Sequence, residues 1–144
     1  MLKLKTALAT ALVLGTAGFA VAYAQNPDVQ KRQEAMGLIG SNTKKLNQMS
    51  QGQVAFDAAA AQAAFSAIYD KATQVPTLFE PEADDPESDA ADEIWFLWDE
   101  FVAKSQALQA AAEAGTGIDS PEALGAALQG LNGTCKDCHS QFKL

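Results

Sequence analysis

The chain has 144 residues, of which 48% are hydrophobic and 8% aromatic, and its formal net charge is −8. This length fits one small domain with one hydrophobic core. The excess of acidic residues argues against a partner that is nucleic acid or anionic lipid, because like charges repel. Abundant alanine and the absence of β-branched runs favour an all-α fold, for which the periodicity predicts four helices.

The first 24 residues have the pattern of a cleaved secretory signal peptide. Lys3 and Lys5 give a positive start, and a run of apolar and small residues follows. Small residues at the −3 and −1 positions predict cleavage before Gln25. The run is short for a membrane span, so an uncleaved anchor is the less favoured alternative. We therefore expect an exported, periplasmic domain, residues 25–144, with no membrane span after cleavage and a formal charge of −10.

Two predicted helices occupy the first half of this domain. The first begins at Asn26-Pro27, a capping residue followed by a proline. Its apolar face is Val29, Met36, Ile39, Thr43, Leu46 and Met49. The second follows a cap at Asp57 and is predicted to end at Pro76. Its apolar face is Ala61, Phe65, Ile68, Ala72 and Val75.

Residues 76–89 are rich in proline and acidic side chains, and we predict a loop there. A solvated connector is the favoured interpretation. The alternative is an acidic docking site that includes Glu82, Asp84, Asp85 and Glu87. A third helix is predicted from about 90 to 114, ended by glycine. Its apolar face is Ile94, Leu97, Trp98, Phe101, Ser105, Leu108 and Ala112.

The fourth predicted helix starts at Ser120-Pro121 and carries the most specific motif of the chain. Its apolar face is Leu124, Leu128, Leu131, Cys135, Cys138 and Phe142. Cys135, Cys138 and His139 form Cys-x-x-Cys-His, the attachment signature of a c-type haem, and they are the only cysteines and the only histidine. The thiols would become thioethers to haem, and the imidazole would be the proximal iron ligand.

Two other kinds of site can use this motif, and both are less favoured. A redox-active dithiol is expected near a βαβ pattern, which the sequence lacks. A structural zinc ion needs four ligands, whereas the motif offers two thiols and one imidazole. Because both cysteines lie on the apolar face of the last predicted helix, we expect the haem to be anchored inside a four-helix bundle.

The sequence resembles the cytochrome c′ and cytochrome c-556 family of class II c-type cytochromes. In that family the haem motif lies on the last helix of an antiparallel four-helix bundle. The matching segments are RQEAM at 32–36, FDAA at 56–59, PTLF at 76–79, EIW at 93–95 and CKDCHSQFK at 135–143. The resemblance covers essentially the whole mature chain.

The resemblance implies roles for three further residues and for partners. Arg32 stands where the family has an arginine near a haem propionate. Lys143 stands where many family members have an arginine near the proximal face of the haem. Lysine keeps the positive charge but lacks the planar guanidinium fork. Met36 stands at the distal position. A homodimer through the first two helices is also implied, together with a redox partner protein or a small gas such as NO or CO.

Two coordination states of the haem iron are possible, depending on whether Met36 binds it. In cytochrome c′ the distal side chain does not coordinate, and the five-coordinate iron binds gases. In cytochrome c-556 a methionine resembles a sixth ligand and suits electron transfer. The Arg32 and Met36 pattern favours the first state, while Met49 is expected in the core. An enzyme such as a peroxidase is disfavoured because no distal acid–base group is visible, so we expect an electron carrier or gas binder.

Overall fold

The protein is described by a computed structural model that covers residues 23–144. The predicted signal peptide, residues 1–24, lies outside this part except for its last two residues. The boundary at Gln25 therefore stays a prediction. None of the helices between residues 23 and 144 combines the length and apolar character that crossing a membrane requires.

Six helices form the described part of the chain, and four of them are long. They are α1 (Pro27–Ser50), α2 (Ala58–Ala72), α3 (Val75–Phe79), α4 (Glu93–Phe96), α5 (Trp98–Ala114) and α6 (Pro121–Phe142). Helix α1 packs on α2, α2 on α5 and α5 on α6, and contacts between α1 and α6 close the bundle. This arrangement confirms the predicted all-α four-helix bundle.

Side-chain caps fix the starts of three long helices where the sequence predicted them. Asn26 Oδ1 accepts from the Asp28 amide at 2.9 Å, and Asp57 Oδ1 accepts from the Ala60 amide at 3.0 Å. At the start of α6, Ser120 Oγ accepts from the Ala123 amide at 3.2 Å. Each cap satisfies one of the amides that the first helical turn leaves without a partner.

Two predicted boundaries are wrong. Helix α2 ends at Ala72, and Pro76 lies in the first turn of α3, where a proline costs no intrahelical hydrogen bond. The segment predicted as a loop therefore contains a short helix. The predicted third helix is divided at Leu97, whose φ of −119° and ψ of 43° are not helical. This break separates α4 from α5.

The core follows the predicted apolar faces closely, with one exception. All five apolar residues of the predicted second helix are buried, although Val75 belongs to α3 in the structure. Four residues of α6 are buried as well, namely Leu124, Leu128, Leu131 and Phe142. Leu97 was predicted to be in the core but is 43% exposed, because the break turns it outward. Met36, Met49 and both cysteines are half-buried against the core.

Candidate functional site

A cavity of about 600 Å³ lies between α1, α5 and α6. Its lining includes Met36 and Ile39 from α1 and Leu108 from α5. From α6 it includes Cys135, Cys138 and His139. Protein interiors are usually packed without spaces of this size, so a cavity bordered by both thiols and the imidazole indicates a site for a bound group.

A smaller cavity of about 160 Å³ lies on the other side of the same residues. Met36, Cys138 and His139 line both cavities. The remaining walls of the smaller cavity are largely aromatic and apolar, and their charged residues are Arg32, Asp89 and Lys143. The aromatic and apolar residues include Val29, Phe79, Ile94, Phe101 and Phe142. The fold thus brings the motif on α6 and the distal candidate on α1 to one chamber.

The two cysteines are free thiols within half-buried surroundings. Burial raises the pKa of Cys135 and of Cys138, so both thiols are protonated at neutral pH. Reactive cysteines in redox dithiols have lowered pKa values instead. The environment therefore disfavours the dithiol alternative and suits residues that become thioethers.

His139 lies near the end of α6 at the junction of the two cavities. Partial desolvation, and secondly the charge of Lys143, lower the pKa of its imidazole. The neutral imidazole is the form that binds a metal. Lys143 itself pairs with Asp89, with Nζ and Oδ2 3.1 Å apart, so its charge is held beside the smaller cavity.

Arg32 lines the smaller cavity but directs its hydrogen bonds to the backbone. It is 3% exposed, and its nitrogen atoms donate to the carbonyls of Leu78, Pro81 and Ala83. Its guanidinium carbon lies 5.0 Å from the centre of the Phe79 ring and 5.3 Å from that of Trp95. Desolvation lowers its pKa, which Asp28 partly offsets. The propionate role of Arg32 stays a prediction.

The sequence did not reveal one ion pair at the site. Lys104 Nζ lies 2.6 Å from Asp137 Oδ2, which joins α5 to the middle of the Cys-x-x-Cys segment. The side chain of Lys104 also lines the larger cavity, and the hydrogen bond to Asp137 raises its pKa. The two residues are 33 positions apart, and no local spacing signals such a pair.

The lining of the chamber fits the chemistry of haem c. Two thiols on one face of α6 allow covalent attachment, and the adjacent imidazole can hold the iron. The apolar walls of the smaller cavity suit a flat macrocycle, and Arg32 and the ion pair of Lys143 with Asp89 supply its charged groups. Met49 packs against the core and lines neither cavity.

Comparison with known proteins agrees with this lining. Residues 28–143 match the sequence profile of the family described as Cytochrome C'. The chain is 35% identical to cytochrome c′ of Rhodopseudomonas palustris, over 99% of this chain and 97% of that one. It is 34% identical to cytochrome c-556 of Agrobacterium fabrum, with the same coverage of both chains.

The fold of a solved relative is also similar. The structure of cytochrome c′ from Rhodopseudomonas palustris superposes with a TM-score of 0.75 and 29% identity, covering 83% of this chain and 98% of that one. The family match, the identity to curated relatives and the shared bundle lead to one conclusion. The chain belongs to the cytochrome c′ family, whose members carry one covalently bound haem c per chain.

Proposed function

We propose that this protein is an exported bacterial haem protein of the periplasm. It carries single electrons, binds a small gas such as NO or CO, or does both. Cys135 and Cys138 hold the haem and His139 is the proximal ligand. The observation that carries the proposal is that these side chains and Met36, from α1, line one chamber. When bound, the haem iron supplies one-electron chemistry and an axial position for a gas.

The protein's own residues prepare the site for this chemistry. Both thiols and the imidazole lie on helix α6. The helix therefore fixes the positions that attach the haem relative to the position that binds its iron. The largely apolar walls of the smaller cavity lower the local dielectric constant, which strengthens charge interactions there. Among the charged residues that line the smaller cavity, Lys143 is paired with Asp89, whereas Arg32 has no carboxylate partner within residues 23–144, so its positive charge favours the reduced, less positive iron.

We propose that Met36 fills the distal side without coordinating, so that the iron is five-coordinate. The arginine four residues earlier supports this choice, as does the packing of Met36 against the core. The alternative is a six-coordinate iron with Met36 as sixth ligand, as implied by the resemblance to cytochrome c-556. Identities of 35% and 34% to the two kinds of relative do not choose between them.

A carrier or gas binder is better supported than an enzyme. A peroxidase needs a positioned acid–base group on the distal side of the haem. The α1 residues that line the two cavities include no carboxylate and no histidine. Helix α1 therefore places neither a carboxylate nor an imidazole beside the chamber to serve as that group.

Carbon monoxide and a redox titration test the proposal together. The exported holoprotein is titrated between its ferric and ferrous states, and the ferrous form is then exposed to carbon monoxide. We expect a reversible one-electron step and prompt carbon monoxide binding in the optical spectrum. Slow or absent binding, with a sulfur-to-iron charge-transfer band in the ferric state, would favour the six-coordinate alternative. Failure of reversible reduction would contradict both.

A further inference from the structure

Two large apolar side chains lie on the surface where α4 meets α5. Phe96 is 82% exposed and Leu97 is 43% exposed, and we call these two residues the Phe96 patch. Neither lines either cavity, so the bound haem does not account for their exposure. Aromatic side chains are enriched at protein–protein interfaces, which makes Phe96 a candidate anchor for a partner.

The surroundings of the Phe96 patch are strongly acidic. Ten of the eighteen acidic residues lie between positions 80 and 100, and that stretch has no lysine, arginine or histidine. Four exposed members directly flank the patch in sequence, namely Asp92, Glu93, Asp99 and Glu100. A partner that covers the patch must therefore bring positive charge with it.

The patch is close in sequence to residues that line the haem chamber. Ile94, two positions before Phe96, and Phe101, five positions after it, line the smaller cavity. Between them, the ring of Trp98 stacks on Phe101 with centres 5.6 Å apart and planes at 29°. Helices α4 and α5, which carry the patch, therefore also contribute residues to the wall of the chamber.

We propose that the Phe96 patch is the docking site for a basic redox protein that presents an apolar hollow ringed by lysine or arginine. The inference rests on the proposed electron-carrying function. One electron passes between the haem iron and the redox centre of the partner, so that one is oxidised as the other is reduced, and no bond is made or broken.

Other occupants fit the patch less well. An anionic membrane surface is repelled by the flanking carboxylates. A second copy of this chain, seated patch to patch, would bring two sets of these carboxylates together. A cationic protein gains from the same charges, because they steer its approach, while Phe96 supplies an aromatic anchor for the docked state.

Charge variants test the steering. The ferrous holoprotein is mixed in a stopped-flow instrument with a ferric, basic c-type cytochrome of higher potential whose haem edge is ringed by lysines. We expect the second-order rate constant to fall steeply with ionic strength. The variant D92N/E93Q/D99N/E100Q should lower it by about tenfold or more at low salt. The matched control D70N/E113Q/D119N/E122Q removes equal charge elsewhere and should change it much less.

An anchor variant tests the patch itself. Phe96→Ala should weaken binding of the same cytochrome several-fold, mainly through faster dissociation. The control Val54→Ala truncates another exposed side chain, 45% exposed, and should leave binding unchanged. Equal effects of the two charge variants, or of the two truncations, would overturn the proposal. So would sedimentation that shows a dimer lost on Phe96→Ala.

Failure of this proposal can be told apart from failure of the proposed function. Each variant is also oxidised by a small neutral reagent, which needs no docking site. If the native protein fails to pass electrons to that reagent, the electron-carrying function is wrong. If it reacts normally with the reagent but the patch variants behave like their controls, only the docking site is wrong.

Discussion

Arg32 is a buried cation whose hydrogen bonds go to backbone carbonyls. Those of Leu78, Pro81 and Ala83 converge on its guanidinium, and the Phe79 and Trp95 rings lie close to it. Its side chain therefore ties α1 to the segment that leads out of α3. The same segment borders the smaller cavity, so Arg32 supports one side of the chamber as well as charging it.

Replacing Arg32 should destabilise the fold. Arg32→Met removes the donor from three part-buried carbonyls, and we expect the free energy of unfolding to fall by about 2 kcal/mol. Arg32→Lys keeps the charge but not the planar fork, so it should recover only part of this loss. Urea unfolding of the holoproteins measures both. An Arg32→Met variant as stable as the native protein would contradict the role assigned to the side chain.

Asp85 gives the protein an acid-sensitive contact. Its Oδ2 accepts from the backbone nitrogen of Gln25, the first residue of the predicted mature chain, at 2.7 Å and from the Asn26 amide at 2.8 Å. Its Oδ1 accepts from the Glu87 amide at 2.9 Å. The backbone donors of Asn26, Glu87 and Gln25 lower the pKa of this carboxyl. The ionised form is thus favoured in the folded state.

A lowered carboxyl pKa stabilises the fold only while the carboxyl is ionised. The contribution of Asp85 is complete above the unfolded pKa, about 3.9, and disappears as pH falls through the lower folded value. Asp85→Asn should therefore be less stable than the native protein at pH 7, and the gap should close in acid. Thermal unfolding between pH 3 and pH 7 measures this. A gap that is constant over that range would contradict the assignment.

Met36 decides the coordination state, and a near-isosteric change isolates its role. Met36→Leu keeps the apolar volume but removes the thioether. If Met36 does not coordinate, ferric and ferrous spectra should be almost unchanged. Loss of a sulfur-to-iron charge-transfer band in the variant would show instead that Met36 binds the iron. Met49→Leu, in the core and away from both cavities, is the matched control.

At the scale of helices, the turn between α5 and α6 depends on one glycine. Gly115 caps α5, and a Cβ atom built on it would lie 2.2 Å from Cδ1 of Phe65, which is fully buried on α2. Since Phe65 is surrounded by core, it cannot move aside easily. The absence of a side chain at Gly115 therefore lets the end of α5 approach α2.

Two glycines in this turn provide a matched test. Gly115→Ala should lower the free energy of unfolding by about 1–3 kcal/mol, because overpacking forces the core to shift. Gly117→Ala, where a Cβ meets nothing within 4 Å, should change it little. Chemical unfolding of both variants gives the comparison. Similar stabilities for the two would show that Phe65 relaxes without cost.

Local signals explain which helices could be predicted from the sequence. The caps at Asn26, Asp57 and Ser120 act within three residues, and the face of α2 repeats at helical spacing. The Cys-x-x-Cys-His motif is also local. The break at Leu97 has no comparable signal. It accompanies long-range contacts, such as Trp95 Nε1 donating to the Phe79 carbonyl at 2.8 Å.

The same reasoning applies to the site. Cys135, Cys138 and His139 share one helix, so their proximity follows from spacing alone. The position of Met36 beside them depends on how α1 packs on α6. The family resemblance implied this position, but the pattern of residues alone did not. The pairing of Lys104 with Asp137 depends on the register of α5 against α6 and was missed.

On the scale of the whole molecule, the acidic charge is concentrated in one segment. Ten of the eighteen acidic residues lie between positions 80 and 100, and Asp89 and Ile94 of this segment line the smaller cavity, which the haem motif on α6 also borders. Such an arrangement suits a carrier that recognises its partner through one face. The homodimer implied by the family resemblance stays a prediction, which sedimentation of the holoprotein measures.

The central claim is that haem is covalently attached through Cys135 and Cys138. Intact-mass spectrometry of the exported protein, after denaturation and acid–acetone extraction, tests it most directly. We predict the mass of the chain from Gln25 onward plus one haem, and no added haem in the Cys135→Ser/Cys138→Ser variant. The bare polypeptide mass, from a host able to mature c-type cytochromes, would contradict the account.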